Sequence, residues 1–503
     1  MATSQLGRLP SELQLMVMSY LEDTQTLYCM ARVSTVWSKY AIDQLWKHPL
    51  QSALDVLVTL RLKSRRQFLA IKVRSLSLQY PKFGFETLKF SSLKSLSFCQ
   101  GAGLRHVDHT PSIQPSLRSL TYHGEQTFAA DSMNLVRQRC PNLRSLRVFD
   151  SSPFDSGLFI DLLRTRHHLE TLSLGYGIDR RLVNEVLACL AGPLSQKLKE
   201  LTFLCPLEDR SLPSNKSELL SIFCNLDTLH DLELGHHISA EQVSSYLHQH
   251  PGSIPFSNVH TLSLQGQAQA AVMLLLSRTI TSLSLGVQHP DENFYTAVSS
   301  MLQLLSLDIT FPPNETVAQG GLERLRTLLN LRRLDMSKSE TADILGDMLQ
   351  LPWMTDELFD EFFASFPLLN QLYLDWDLGS QLSEAAIDAL ARHCPSLRRA
   401  MLMWQHDLKT WHKLNKPLIP KLEFLGLGRI CEFTGSSYRH ALKQAKQPAV
   451  MIRALLPVMD GFTVFSSSLS GAALSNTLMP GSVIRETGGL HVVLVSSQDD
   501  SDA

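Results

Sequence analysis

Apolar residues along this 503-residue chain recur in one motif, leucine-like residues spaced as L-x-x-L-x-L, and between copies the apolar period changes from two to about 3.6. Fourteen segments align, beginning at Val73, Leu93, Leu117, Leu143, Leu169, Leu198, Leu229, Val259, Ile280, Leu302, Leu331, Leu369, Leu397 and Leu422. All but one of their intervals lie between 20 and 31 residues. Leucine supplies 90 of the 503 residues, so a single match means little and the regular phasing carries the reading. Leu57, Leu60 and Leu62 match out of phase and belong instead to a predicted linking helix over 51–72.

The stretches between the motifs predict helices. Ser239 and Gln242 form a capping box ahead of Val243, Tyr246 and Leu247, and Ser383 precedes Ile387, Leu390, Ala391 and Cys394 at helical spacing. The stretch MTDELFDEFFASF, inside the long interval 337–367, predicts an amphipathic helix of the same kind. Each unit is therefore a strand followed by a helix. The stretches CPNLRSLRV from Cys140, CPSLRRAML from Cys394 and FPLLNQLYL from Phe366 resemble the cysteine-containing, ribonuclease-inhibitor-like type of leucine-rich repeat. In that type Cys or Phe ends the helix as a buried residue and Pro stops it. One strand and helix cannot bury its apolar side alone, whereas stacked units share a continuous core. The predicted fold class is α/β, with a curved leucine-rich-repeat solenoid over 73–429 and parallel strands on its concave face.

A different pattern opens the chain. Leu13, Met16, Val17, Tyr20 and Leu21 recur at helical spacing behind a candidate capping box of Ser11 and Gln14. Asp23 or Thr24 can cap a second helix carrying Leu27, Met30 and Ala31, and Ser34 starts a third carrying Trp37, Tyr40, Ala41 and Leu45. Read in order, Leu9, Pro10, Glu12, Leu13, Tyr20, Leu21, Val33, Ser34 and Trp37, closed by Leu45 and Trp46, resemble an all-helical F-box over 1–50. Thr26-Leu27 stands where the family often has Asp-Leu. The resemblance implies a substrate receptor of an SCF-type ubiquitin ligase. In that reading Leu9, Pro10, Leu13, Val17, Leu21, Val33 and Trp37 form or support the interface with a Skp-family adaptor, and through it a cullin, while the repeats hold a target protein. An F-box and repeat scaffold acting outside a ligase is the alternative.

Outward strand positions are small and neutral in the early and middle repeats, Ser75, Ser77, Ser95, Ser97, Ser119, Thr121, Thr171, Ser173, Thr261, Ser263, Ser282 and Ser284 among them. The last repeats instead present Arg333, Asp335, Tyr373, Asp375, Trp376, Arg399, Met401, Met403, Trp404 and Phe424. Aromatic, Met and Arg side chains anchor interfaces, so all of these except Phe424 are candidate target-binding residues, unless the segment that follows folds back over them. Beyond Arg429 the repeat fades. A cap with a helix near Tyr438–Lys446 and strands near 462–470 and 483–496 is expected over 430–495, with a disordered acidic tail at 496–503.

Composition adds limits. A net charge of −2 with mixed signs provides no field for nucleic acid or an anionic membrane, and the apolar run near Ala270–Leu276 is too short to cross a bilayer. No basic segment followed by an apolar core opens the chain, so no secretory signal is expected. Eight cysteines without Cys-x-x-Cys spacing point to reduced thiols, hence to the cytoplasm or nucleus. No phosphate-binding Gly-rich loop, His-Glu-x-x-His or Gly-x-Ser-x-Gly is present, His167-His168 and His236-His237 are adjacent rather than at ligand spacing, and Arg485, Glu486 and His491 are too sparse for an active site. No catalytic residue, metal or cofactor is expected.

Overall fold

The computed structural model describes residues 10, 12–13, 16, 20–21, 23–33, 35–78, 85, 87–100, 112–124, 130–149, 156–175, 180–204, 216–275, 279–312, 315–338, 349–377, 382–404, 406, 419–427, 461–466, 484–485 and 491–496. The chain divides into two compact units, Met1–Leu207 with Asn225–Leu229, and Glu208–Cys224 with His230–Ala503.

In the first unit, strands β1 (Ser75–Leu78), β2 (Ser95–Gln100), β3 (Ser119–Gly124), β4 (Ser145–Phe149), β5 (Thr171–Leu174) and β6 (Glu200–Phe203) pair in sequence order, all parallel. Their register stacks Leu76, Leu96, Leu120, Leu146, Leu172 and Leu201 into one file, none more than 1% exposed. The next inward file is larger, with Phe98 edge-on to Tyr122 at a 5.2 Å centroid distance. From β3 onward the turns of the chain return through helices Ala130–Arg139, Ser156–Thr165 and Arg180–Leu190, which pack side by side. The linking segment is two helices, Gln51–Thr59 and Lys63–Ala70, rather than one over 51–72, because Leu60 leaves the helical conformation with ψ at 126°.

The second unit repeats the arrangement. Strands β7 (Asp231–Ile238), β8 (Thr261–Gln267), β9 (Ser282–Gln288), β10 (Ser306–Phe311) and β11 (Arg333–Lys338) are followed by β12 (Leu349–Gln350), β13 (Gln371–Leu374), β14 (Trp376–Asp377), β15 (Arg399–Leu402) and β16 (Phe424–Leu427). All but β12 and β14 form one parallel file, Leu232, Leu262, Leu283, Leu307, Leu334, Leu372, Ala400 and Leu425 being cross-strand neighbours, while β12 and β14 pair with each other. The file continues past Arg429: β17 (Gly461–Ser466) is parallel to β16 and to β19 (His491–Ser496), and β18 (Ile484–Arg485) lies antiparallel to β19. The helix expected at Tyr438–Lys446 and the tail beyond Ser496 lie outside the described residues. Both units have leucine-rich-repeat architecture, so the fold is α/β with an all-helical module in front.

One repeat is phased differently from its sequence reading. Leu302 is 58% exposed, and Leu304 takes the first buried position of its motif, ahead of Leu307 and Ile309. The run Leu302-Gln303-Leu304-Leu305 offers several frames, and cross-strand pairing selects the one that keeps the buried file in line.

The helix-ending residues behave as their motif requires. Cys140 and Cys394 are fully buried, each thiol points at the carbonyl of the preceding repeat, Gln114 and Phe366 respectively, and burial pushes their pKa up to about 11 and about 12. They are core residues. Ser239 and Gln242 form the reciprocal capping box, and Asp356–Phe363 is a repeat helix capped by Thr355 with Phe359, Phe362 and Phe363 inward.

Candidate interaction surfaces

The N-terminal module is built on Leu27, Trp37 and Ala41, with Leu21, Met30, Ala31, Tyr40 and Leu45 packed against them. Among the described residues it contains the helices Thr24–Met30 and Thr35–Leu45. Asp23 is the cap: its carboxylate accepts from the Thr26 amide at 2.6 Å, the Gln25 amide at 3.3 Å and the Thr26 hydroxyl, and these bonds, the Thr26 hydroxyl first, hold its pKa below the usual value. Among the described residues, much apolar surface lies outside this core. Leu13, Met16, Tyr20, Tyr28, Val33 and Val36 are all exposed, Tyr20 and Val33 by 79% and 65%. Set against the three buried core side chains among the described residues, this exposed apolar set is a candidate docking face.

The module is also bonded to the repeats. The Lys47 carbonyl accepts from the amides of Arg74 and Ser75 at 3.1 and 3.0 Å, the same two-amide acceptance that joins β2, β3, β4, β5 and β6 each to the repeat before it. Lys72 adds an ion pair to Asp43 at 2.7 Å, and Gln67 exchanges two hydrogen bonds with the Lys89 backbone. The first strand therefore treats the end of the module as its preceding repeat.

Residues 6–52 match the F-box-like family. The chain is an F-box-like domain followed by leucine-rich repeats. No curated protein sequence matches the chain significantly. Among solved structures it is similar to a chain of the yeast Rad7 and Elc1 complex, at 15% identity over 94% of this chain and 98% of that one, with a TM-score of 0.39. It is also similar to an internalin of Listeria monocytogenes, at 14% identity over 84% and 96% with a TM-score of 0.35, and to a leucine-rich-repeat protein of Leptospira interrogans, at 15% over 82% and 98% with a TM-score of 0.33. At such scores these likenesses carry no functional argument.

Of the residues expected at the adaptor interface, Pro10, Leu13 and Val33 are exposed on the F-box-like domain and Leu21 is half-buried against its core. Trp37 is 4% exposed, so it builds the core that holds the face in place rather than forming the face. Leu9 and Val17 lie outside the described residues. Met16, Tyr28 and Val36 belong to the exposed set but lie outside the family pattern, while Tyr20 lies in that pattern without being among the residues expected at the interface.

The candidate target-binding residues separate into two groups. Arg333, Asp335, Tyr373, Arg399 and Met401 face outward on β11, β13 and β15, with Asp335, Tyr373 and Met401 in direct cross-strand register. Trp376, Met403 and Trp404 do not: they are 0%, 2% and 3% exposed, and Asp375 is buried with them. Trp376 and Trp404 stand edge-on to Phe359 at 6.4 and 5.8 Å. Alternation from the inward residues Leu374 and Leu402 puts Trp376 and Trp404 on the same side as those leucines, and Met403 and Asp375 follow the chain as it leaves the sheet. These four residues are packing, not surface.

A half-buried carboxylate pair includes one member of the first group. Asp308 on β10 is the register partner of Asp335, and Oδ1 of each has no hydrogen-bond partner. Burial, then the neighbouring Asp308 charge, pushes Asp335 up to about 6, against the opposing effect of Arg333, whose guanidinium is 3.3 Å from its carboxylate. Burial raises Asp308 as well. Among the described residues no group of three or more His, Cys, Asp or Glu is placed to hold a metal ion, and no helix is long and apolar enough to cross a membrane.

Proposed function

We propose that this chain is the substrate-recognition subunit of an SCF-type ubiquitin ligase. The F-box-like domain docks on a Skp-family adaptor, and through it a cullin, and the outward residues Arg333, Asp335, Tyr373, Arg399 and Met401 hold a target protein. The observation that carries the reading is the exposed apolar face of a domain that matches the F-box-like family at residues 6–52. The chain contributes no covalent chemistry in this reading; tethering raises the concentration of target lysines near the conjugating enzyme. Its proposed place of action is the cytoplasm, the nucleus or both.

Co-purification of the adaptor and cullin with the intact chain and with Leu13→Glu/Val33→Glu tests it. Both substituted side chains are exposed, so the variant is expected to fold, which its thermal transition would check. Capture by the intact chain and loss in the folded variant supports the receptor. Adaptor capture without cullin supports a scaffold outside a ligase, and no capture by either chain overturns the docking role.

A further inference from the structure

Within each unit, the carbonyl of the residue just before a repeat strand accepts the two amides at the start of the next repeat, and Lys47 at the end of the N-terminal module does the same for β1, so these residues form a row along one edge of the sheet. In the second unit the row reads His230, His260, Thr281, Leu305, Arg332, Asn370 and Arg398, and it ends at Glu423, whose amide bonds the Arg398 carbonyl. The position thus accepts neutral, apolar, acidic and basic side chains, because its structural work is done by the backbone. In the first unit it reads Lys47, Arg74, Lys94, Arg118 and Arg144 before reaching Glu170. Five successive cations are not required by the fold.

Side chains at adjacent steps of the row reach one another. Arg144 meets Glu170 at 2.9 Å, and Arg398 meets Glu423 at 3.3 Å in the second unit. Arg74, Lys94 and Arg118 are exposed and have no counter-ion among the described residues. Like charges on neighbouring strands oppose each other, so the row carries a standing electrostatic cost. The surrounding sequence strengthens the field: residues 47–118 hold twelve Lys and Arg against three Asp and Glu, a net of +9 in a chain whose total is −2. His48 responds to it, held below its usual pKa first by burial and then by Lys47 and Arg74.

We propose that this row is a docking site for an extended acidic segment of a partner protein, independently of any role in a ubiquitin ligase. Strand spacing of about 4.8 Å sets five cations over roughly 19 Å, the reach of about six extended residues. The cations stand singly in file and do not converge on one point as a phosphate clamp requires, so a run of carboxylates fits better than a phosphorylated side chain. Beside them lie Ser75, Ser95, Ser119 and Ser145, which provide no platform for stacked bases.

The test is fluorescence anisotropy of labelled octaglutamate with the full chain, with Arg74→Gln/Lys94→Gln/Arg118→Gln, and with Arg61→Gln/Lys63→Gln/Arg65→Gln. The last variant removes the same charge nearby but off the row. Exposed ion pairs are individually weak, so the row variant is expected to weaken binding roughly tenfold and the control less than threefold. Should the triple variant fail to fold, Lys94→Gln alone is expected to weaken binding about twofold to threefold. Equal loss in both triple variants, no binding by the intact chain, or tighter row-dependent binding of oligothymidylate or of a phosphoserine peptide of equal charge would overturn the proposal.

Discussion

The two units are made of the same strand and helix repeat, yet their surfaces have diverged. In the first, the outward strand positions are mostly serine and threonine and the row before the strands is cationic; in the second, β10 to β15 carry Asp308, Asp335, Tyr373 and Met401, and the row before the strands is mixed. Their central files differ hardly at all: leucine stands at every step in the first unit and, across β7 to β16, at all but Ala400 in the second. The inward positions are bound to one another by packing and register, whereas most of the outward ones are at least partly exposed, Thr171 and Ser173 on β5 being buried exceptions. Recognition can therefore be rewritten repeat by repeat while the architecture stays the same.

The largest effect should come from the part the units share. Leu120→Ala in the first unit and Leu334→Ala in the second are each expected to cost about 2–5 kcal/mol, read from the urea midpoint, because both side chains are about 1% exposed within a continuous file. Thr121→Ala and Ser263→Ala, outward on neighbouring positions, should stay within about 0.5 kcal/mol. If an outward change costs as much as an inward one, the division between architecture and surface is wrong.

A smaller effect distinguishes the second unit. A carboxyl whose folded pKa lies above its unfolded value costs stability where it is ionised. Asp335, at about 6 against 3.8, should therefore weaken the fold above about pH 6 and cease to do so as pH falls toward 4. Asp335→Asn is expected to raise the thermal midpoint at pH 7.5 and to match the natural chain near pH 4. Asp308 is coupled to it, so Asp308→Asn should lower the pH at which the difference appears. The outward positions of β1 to β5 carry no such carboxylate pair, and an equal pH response after both aspartates are replaced would place its source elsewhere. The smallest effect belongs to the surface: Arg144→Gln breaks an exposed ion pair with Glu170 and should shift stability by less than about 1 kcal/mol, with the difference vanishing in high salt.

Much of this was readable beforehand. The repeat starts, the Ser239 capping box, the buried Cys140 and Cys394 and the helical N-terminal module all follow from short-range periodicity, which hydrophobic burial enforces wherever it occurs. Where several leucines crowd together, as at Leu302 to Leu305, periodicity alone leaves more than one frame. The residue types of Trp376 and Trp404 point to an interface, but alternation continued from Leu374 and Leu402 sends both inward. The docking face was half legible: Leu13 and Val33 lie in the family pattern, but the burial of Trp37 is visible only in the folded module.

The sequence by itself determined that the chain folds as strand and helix repeats behind an F-box-like domain, since both rest on contacts between residues near one another along the chain. Only the tertiary structure decided which side chains share a surface. The five cations from Lys47 to Arg144 are spread over 98 residues of a nearly neutral chain, and Asp308 and Asp335 are 27 apart. Stacking brings each within one strand spacing of its neighbour, and charges act through space rather than along the chain.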